Sequence, residues 1–384
     1  MGPDLSGLRP ISIDGRTPLP VLRVEAKRQL DICNSCRYCE GLCVVFPALE
    51  RRTVLASGDL TQLANVCHDC RACFDACMYA APHEWDINIP KVLSALRVAD
   101  YERLMWPPRS AGRITRHLGS AVGLIAAIAL VATAVGRVGW AGLVRRPVGA
   151  GSPYDLVPYP VLLGVMLAAS LYAVVVTGVA VRTYWREVNQ PRQPVTVRAV
   201  GQAIWYAATL RYLRGGGAEC LYPREDMPSP LRRHLHGLVA YGFGLCLVST
   251  IAAGIEQDIA GIQPPYPWLS VPVLTGFVGG VGLSIGSVAL LWLKIRAAPE
   301  LGVRTMTVKD YGLLVALAAL GLTGIAVFAC RDTGAYALLL LVHLAAVAQA
   351  FALAPYSKFV HVVFRFEALV RDNIERAGAA GQGT

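Results

Sequence analysis

The sequence predicts an all-α protein in two parts: a small helical N-terminal domain, then a six-helix transmembrane bundle. Three observations predict it. Eight of the eleven cysteines lie between residues 33 and 77, in two copies of one spacing. The segment that joins the copies, ALERRTVLASGDLTQLANV, has helical apolar spacing, with a cap at Asp59 or Thr61. From about Leu118 the chain, 54% hydrophobic overall, gathers its apolar residues into six long stretches. Each is near the ~20 residues that a bilayer span requires.

The cysteines come first because they carry chemistry. Cys33, Cys36, Cys39 and Cys43 follow C-x2-C-x2-C-x3-C, and Cys67, Cys70, Cys73 and Cys77 repeat it. This is the ligand run of proteins that hold two [4Fe–4S] clusters, where the fourth cysteine of each run serves the other cluster. The expected sets are therefore Cys33, Cys36 and Cys39 with Cys77, and Cys67, Cys70 and Cys73 with Cys43. Soft thiolates suit iron, and tight spacing lets one stretch of backbone supply three ligands. A disulfide framework needs an oxidising compartment, and MGPDLSGLRPIS contains no apolar core of a secretory signal. Structural zinc needs only C-x2-C pairs, so the third and fourth cysteines would be surplus. Proline commonly follows the fourth cysteine of such runs; here Val44 and Met78 do, with Pro47 and Pro82 a few residues on. The helical joining segment favours an all-helical ferredoxin-like domain over the small β-sheet ferredoxin.

The six stretches cover about 118–136, 157–181, 235–255, 271–293, 311–329 and 335–361. A formal net charge of +10 invites a nucleic-acid reading, but the cations sit between apolar spans, which is the positive-inside pattern. Arg109, Arg113, Arg116, Arg182, Arg186, Arg232, Arg233, Lys294, Arg296, Arg304, Lys309, Lys358, Arg365 and Arg371 fall on one side. The other side offers Glu256, Asp258 and the Arg331–Asp332 pair, with Arg137, Arg145 and Arg146 dissenting. The expectation is a bacterial inner-membrane protein with both termini and the cysteine domain cytoplasmic. Its parts are an N-terminal arm (1–24), the two-cluster domain (25–105), the bundle (110–365) with an amphipathic cytoplasmic segment (183–233), and a flexible tail (366–384).

Ionisable residues inside spans are functional candidates. His234 and His236 open the third span; His343 and His361 lie eighteen residues apart in the last one, five turns and one face if the helix is continuous. The third span starts on the side where the last one ends, so His236 and His361 share a depth. Facing imidazoles in an apolar bundle suit a bis-histidine haem b. His343 lies deeper, with Cys246 as the nearest residue at that depth; it is either a ligand of a second haem or a lone hydrogen-bonded histidine. Pro355 interrupts the stretch between the pair. Cys220 and Cys330 have no partner at useful spacing and are assigned no role.

Four stretches carry a family resemblance. They are the cysteine runs ending CMYAAPHEWDINIPKVL, the loop LRYLRGGGAECLYPREDMPSPLRRHLHG, the span start YGFGLCLVSTIAAG, and PYSKFVH near the end. Together they resemble the tricarballylate-utilisation (citrate-utilisation) protein B family, over about residues 25–370. The PYSK-x-x-H ending is also similar to haem-b membrane subunits of nitrate reductase and heterodisulfide reductase type, in which the equivalent of His361 ligates haem. In the nitrate-reductase type the upstream histidine pairs with a second histidine, where this chain has Cys246. The resemblance implies a redox partner for an FAD-dependent dehydrogenase that oxidises tricarballylate, with electrons passed on to membrane quinone.

No G-x-G-x-x-G after a strand and no P-loop is present, so flavin or nucleotide binding by this chain is not expected. What remains is a series of one-electron carriers. Lys358, Tyr356, Arg233 and His234 could hydrogen-bond a quinone, although Lys358 and Arg233 also read as interfacial anchors. The stretch 195–214 is amphipathic and suits the membrane surface or a partner dock. Two other readings are an electron-delivery module for an oxygenase or cobalamin-biosynthetic flavoprotein, and a redox sensor. The sensor requires an output domain that the short tail after Phe366 does not provide.

Overall fold

The computed structural model describes residues 9–106, 119–146, 148–214, 229–297 and 302–382. Arg109, Arg113, Arg116 and Cys220 lie outside them. Among the described residues the regular structure is helical: α1 (Leu19–Cys36), α2 (Val45–Glu50), α3 (Ser57–Val66), α4 (Ala72–Asp75), α5 (Ile89–Leu104), α6 (Gly119–Gly142), α7 (Pro153–Leu156), α8 (Tyr159–Val188), α9 (Val197–Ala208), α10 (Leu231–Asp258), α11 (Val271–Ile295), α12 (Arg304–Ala329), α13 (Tyr336–Leu353) and α14 (His361–Gln382). The joining segment is α3, and Asp59 in its first turn accepts the Ala56 N–H at 2.9 Å, closing the helix start. The expected arm is partly built into the domain, since α1 begins at Leu19 and Ile13 is buried.

Among the described residues six helices are long and apolar enough to cross a membrane: α6, α8, α10, α11, α12 and α13. They leave large apolar side chains outside, such as Leu171 and Val174 on α8 and Ile285 on α11, each more than half exposed. That surface suits lipid rather than water. The helices form an arc in which α10 packs on α11, α11 on α12, α12 on α13, and α13 on α6 and α8. Lipid gives no hydrophobic push between helices, so close backbone approach must hold them together. At the α10–α11 contact a Cβ on Gly279 would lie 2.8 Å from the Gly242 carbonyl oxygen, so the pair can touch only as glycines.

The N-terminal domain is fused to one end of this arc, here the near face. Its core of Leu30, Leu49, Leu63 and Leu93 continues into Ala180 and Tyr184 of α8 and Phe364 and Ala368 of α14. Ion pairs reinforce the seam: Arg23 and Arg103 to Glu187, at 3.0 and 2.6 Å, and Lys309 to Glu102 at 2.9 Å.

Two expectations are corrected here. The last span does not run on to His361. Pro355 has no N–H to give and crowds the carbonyl four residues back; a 3₁₀ turn at Ala354–Tyr356 ends α13, Ser357 is extended, and Lys358–Val360 forms a second turn. His361 therefore opens a new helix, and the five-turn argument for a face shared with His343 does not hold. Nor are the described residues of the expected flexible tail (366–384), which run to Gln382, irregular. They are helical, with Ala368, Leu369, Val370 and Asp372 buried and Asp372 and Glu375 paired to Arg51 and Arg52.

Candidate functional site

Both cysteine runs fold the same way. The residue after the second cysteine is left-handed in each, Arg37 with φ 56° and Arg71 with φ 68°. That conformation is costly for a non-glycine residue and persists where its surroundings fix it. Arg37 ends α1, its N–H donating to the Cys33 carbonyl at 2.9 Å, and turns the chain so that Cys36 and Cys39 come round beside Cys33. The fourth cysteine of each run faces two backbone N–H groups: Val45 and Phe46 at Cys43, Tyr79 and Ala80 at Cys77. Such donors favour thiolate.

The structure brings the eight cysteines together as two sets. Cys33, Cys36, Cys39 and Cys77 line one recess, with Tyr38, Phe46, Met78 and Tyr79. Cys43, Cys67, Cys70 and Cys73 line a second, with His68, Asp69, Arg71 and Tyr212. Each set takes three cysteines from one run and the fourth from the other. Burial, with neighbouring thiols, pushes Cys33, Cys43 and Cys73 well above the usual thiol range and Cys39 up to about 11. Four thiolates crowded this way require a bound cationic centre to ionise, so the donor sets fit iron–sulfur clusters.

The two recesses differ in what surrounds them. The first opens outward: Cys36 is exposed, and Tyr38 and Met78 are 64% and 60% exposed. The second is pressed onto the bundle, where Cys70 and Ala72 pack with Leu293 of α11 and against Leu235 of α10. Three guanidiniums hold its loop. Arg97 donates to the carbonyls of Ala64 and Cys67 at 2.8 and 2.6 Å, and Arg365 also donates to Cys67. Arg232 donates to the Asp69 and His68 carbonyls at 2.6 and 3.1 Å.

Arg232 and Arg365 each lie one helical turn from a histidine, His236 on α10 and His361 on α14. These two rings face each other with centres 6.3 Å apart and planes at 89°. Imidazoles on opposite sides of one iron would have ring centres about 6 Å apart, given metal–nitrogen bonds of about 2.0–2.1 Å. His361 Nδ1 bonds to the Lys358 carbonyl at 2.6 Å, leaving Nε2 for another partner, and His236 Nδ1 is buried with no partner among the described residues. Burial and Arg365 hold His361 well below the usual imidazole range, so it stays neutral, the form that ligates. Phe243 and Phe359, ring centres 5.2 Å apart, supply an apolar wall beyond the pair. The residues present fit a bis-histidine haem.

His343 sits elsewhere. Its Nδ1 bonds to Thr323 Oγ1 at 2.9 Å across the α12–α13 contact, while the backbone of Cys246 lies against Gly279 at the α10–α11 contact. The structure does not bring the two together. Three residues considered for quinone are already engaged: Arg233 donates to the Thr209 carbonyl, Tyr356 bonds to Tyr172 and to the Trp106 carbonyl, and Lys358 pairs with Asp310. His234 is exposed. Asp310, 2% exposed, is also paired with Lys294, which ties α11, α12 and the turn before His361 at one point.

Sequence reasoning missed His68, Arg97 and that carboxylate. His68 is half-buried directly after Cys67, and its enclosed setting, with Arg365 and Arg97, holds its imidazole well below the usual range. Its position inside the run was the available signal. Arg97 and Asp310 gave none, because their partners lie far along the chain.

Comparison with known proteins agrees with this division. The family model described as "Citrate utilization protein B Fer4-like domain" matches residues 26–103, and "Citrate utilization protein B" matches 113–382. The chain belongs to the citrate utilization protein B family. It is 36% identical over 364 residues to the Escherichia coli protein named "Citrate utilization protein B", covering 93% of this chain and 95% of that relative. No solved structure matches it. Within the family, the cysteine domain described above is the Fer4-like part, an iron–sulfur module, and the six apolar helices are the other.

Proposed function

We propose that this chain is the membrane electron-transfer partner of an FAD-dependent dehydrogenase of the tricarballylate-oxidising type, delivering electrons to the quinone pool of a bacterial inner membrane. The observation that carries this is the order of the sites. An outward-facing cysteine set is followed by a second set seated on the near ends of α10 and α11, and its loop is gripped by arginines one turn from His236 and His361. That order runs from solvent to membrane, as a path from a soluble donor to a lipid-soluble acceptor must.

When bound, two [4Fe–4S] clusters and one haem b would supply one-electron carriers between a two-electron donor and quinone. Cys33, Cys36, Cys39 and Cys77 would hold the outer cluster, and Cys43, Cys67, Cys70 and Cys73 the inner one. His236 and His361 would hold the haem, with the Lys358 carbonyl fixing the His361 ring. Thr323 gives His343 a hydrogen-bonding partner, which favours the reading of one haem over two. The N-terminal domain and the near face are cytoplasmic, where reducing conditions protect the thiolates. The name of the Escherichia coli relative places that protein in citrate utilisation, and a tricarboxylate pathway for this chain agrees with it.

Anaerobic reductive titration of the detergent-purified protein tests this, with iron and haem quantified and optical and electron paramagnetic resonance spectra recorded. Expected are about eight non-haem irons and one low-spin haem b. His236→Ala and His361→Ala each abolish the haem signal, and His343→Ala leaves it. A haem-free protein with intact clusters would remove the membrane half of the proposal.

A further inference from the structure

We propose that the buried guanidiniums of Arg97 and Arg365 make the membrane-side cysteine set the electron-accepting end of the pair. They do so by holding two uncompensated positive charges against the cluster it carries. This rests on the reading above that both sets hold clusters.

Arg97 is 3% exposed and donates to the Ala64 and Cys67 carbonyls; Arg365 donates to the same Cys67 oxygen. Among the described residues neither has a carboxylate within ion-pair distance. The chain forms such pairs freely nearby, with Arg51 on Asp372, Arg52 on Glu375 and Arg103 on Asp100. A buried cation without an anion is costly. Two of them converging on the carbonyl of a cluster ligand point to the thiolate-ligated centre as the main balancing charge, with the Asp69 carboxylate lining the same recess. Arg97 and Arg365 act from behind the Cys67 carbonyl, while Arg71 and Asp69 line the inner recess itself. Among the described residues no Lys or Arg lines the outer recess, and Arg37 beside it is exposed and directs its guanidinium to the Asn34 carbonyl.

Taking up an electron makes a cluster more negative, so a nearby cation favours the reduced form and raises the potential. Burial alone acts the other way, because water at the outer set stabilises added charge better than an apolar interior does. Two guanidiniums acting in low dielectric, where a charge is felt far more strongly than in water, outweigh that solvent contribution. The inner set therefore has the higher potential. One electron leaves the outer set and one is taken up at the inner set, with no bond made or broken and no proton moved. Electrons supplied by a reduced flavin on the outside then rest next to His236 and His361.

The test is a redox titration of the full-length protein followed by electron paramagnetic resonance. It compares wild type with Arg97→Gln, Arg365→Gln and the charge-keeping Arg97→Lys and Arg365→Lys; Cys36→Ser identifies the outer signal. The inner signal is expected at the higher potential in wild type. Each Gln variant should shift it to lower potential while the outer signal stays in place, and each Lys variant should recover most of the shift. An inner potential below the outer one, or Gln variants that move neither or both equally, would overturn the inference. The wild-type order is a test of its own where a Gln variant fails to assemble the inner centre. Absence of two cluster signals in wild type would instead overturn the cluster reading beneath it.

Discussion

The two cysteine sets share spacing, a left-handed arginine after the second cysteine, and paired N–H groups at the fourth, yet they sit in opposite surroundings. Cys36 of the outer set is exposed, with Tyr38 and Met78 projecting beside it. Cys67 and Cys70 of the inner set are buried, and the latter packs on the near ends of α10 and α11. Local sequence therefore sets how the thiols converge, while tertiary packing sets what each set can exchange electrons with. A motif repeated twice in fifty residues becomes directional only because one copy is pressed onto the bundle.

The largest expected effect compares Cys36→Ser with Cys70→Ser. Each should lose about half the non-haem iron, roughly four of eight atoms, and each should stop haem reduction by a flavoprotein donor. They should differ in stability. Cys70→Ser also loosens a loop that Arg232 ties to α10, so its thermal midpoint should fall well below that of Cys36→Ser, read by differential scanning fluorimetry in detergent. Equal midpoints would mean that the inner set is no more part of the domain–bundle joint than the outer one.

Asp310→Asn sharpens the same contrast at smaller size. It leaves Lys294 and Lys358 facing each other without their shared carboxylate. Breaking a buried pair costs about 3–5 kcal/mol, and lysines 20% and 22% exposed put this case near the lower end, about 3 kcal/mol. The damage should be local to the turn before His361. Haem absorbance should drop or change line shape, outer-set iron should stay, and Asp310→Glu should restore part of the haem. An unchanged haem spectrum with lost outer iron would place the triad in the wrong half of the molecule.

Much of this was legible in the sequence, for identifiable reasons. Spacing fixed the cysteine runs, because ligand geometry is local, and length with hydropathy fixed the six spans. The meeting of His236 and His361 was foreseen from matched depth, but not the backbone that achieves it: Pro355 was visible, and the two turns and new helix that follow it were not. The C-terminal helix was masked by its AGAAGQGT ending, although Phe364, Ala368, Asp372 and Glu375 recur at helical spacing. Arg97, Arg232 and Arg365 could not be read, since they reach carbonyls 30 to 298 residues away. Charges at span ends look alike in sequence, whether they anchor lipid or grip a loop.

Glu367 supplies the smallest and most selective test, on the helix that carries His361 and Arg365. Its Oε2 is buried with no hydrogen-bond partner among the described residues, and burial raises its carboxyl from the ordinary 4.5 to about 8. Between those two values the folded state keeps a proton that the unfolded chain has released. Stability is thus fully present below pH 4.5 and is lost as pH rises toward 8. Glu367→Gln has no proton to lose, so it should match wild type near pH 5 and melt a few degrees higher at pH 8 to 9, with cluster iron unchanged. Parallel melting profiles for the two proteins across that range would show that the carboxyl is already ionised and solvated. α14 would then be held to the domain by its buried apolar face and its ion pairs with Arg51 and Arg52, with no proton-linked contribution from Glu367.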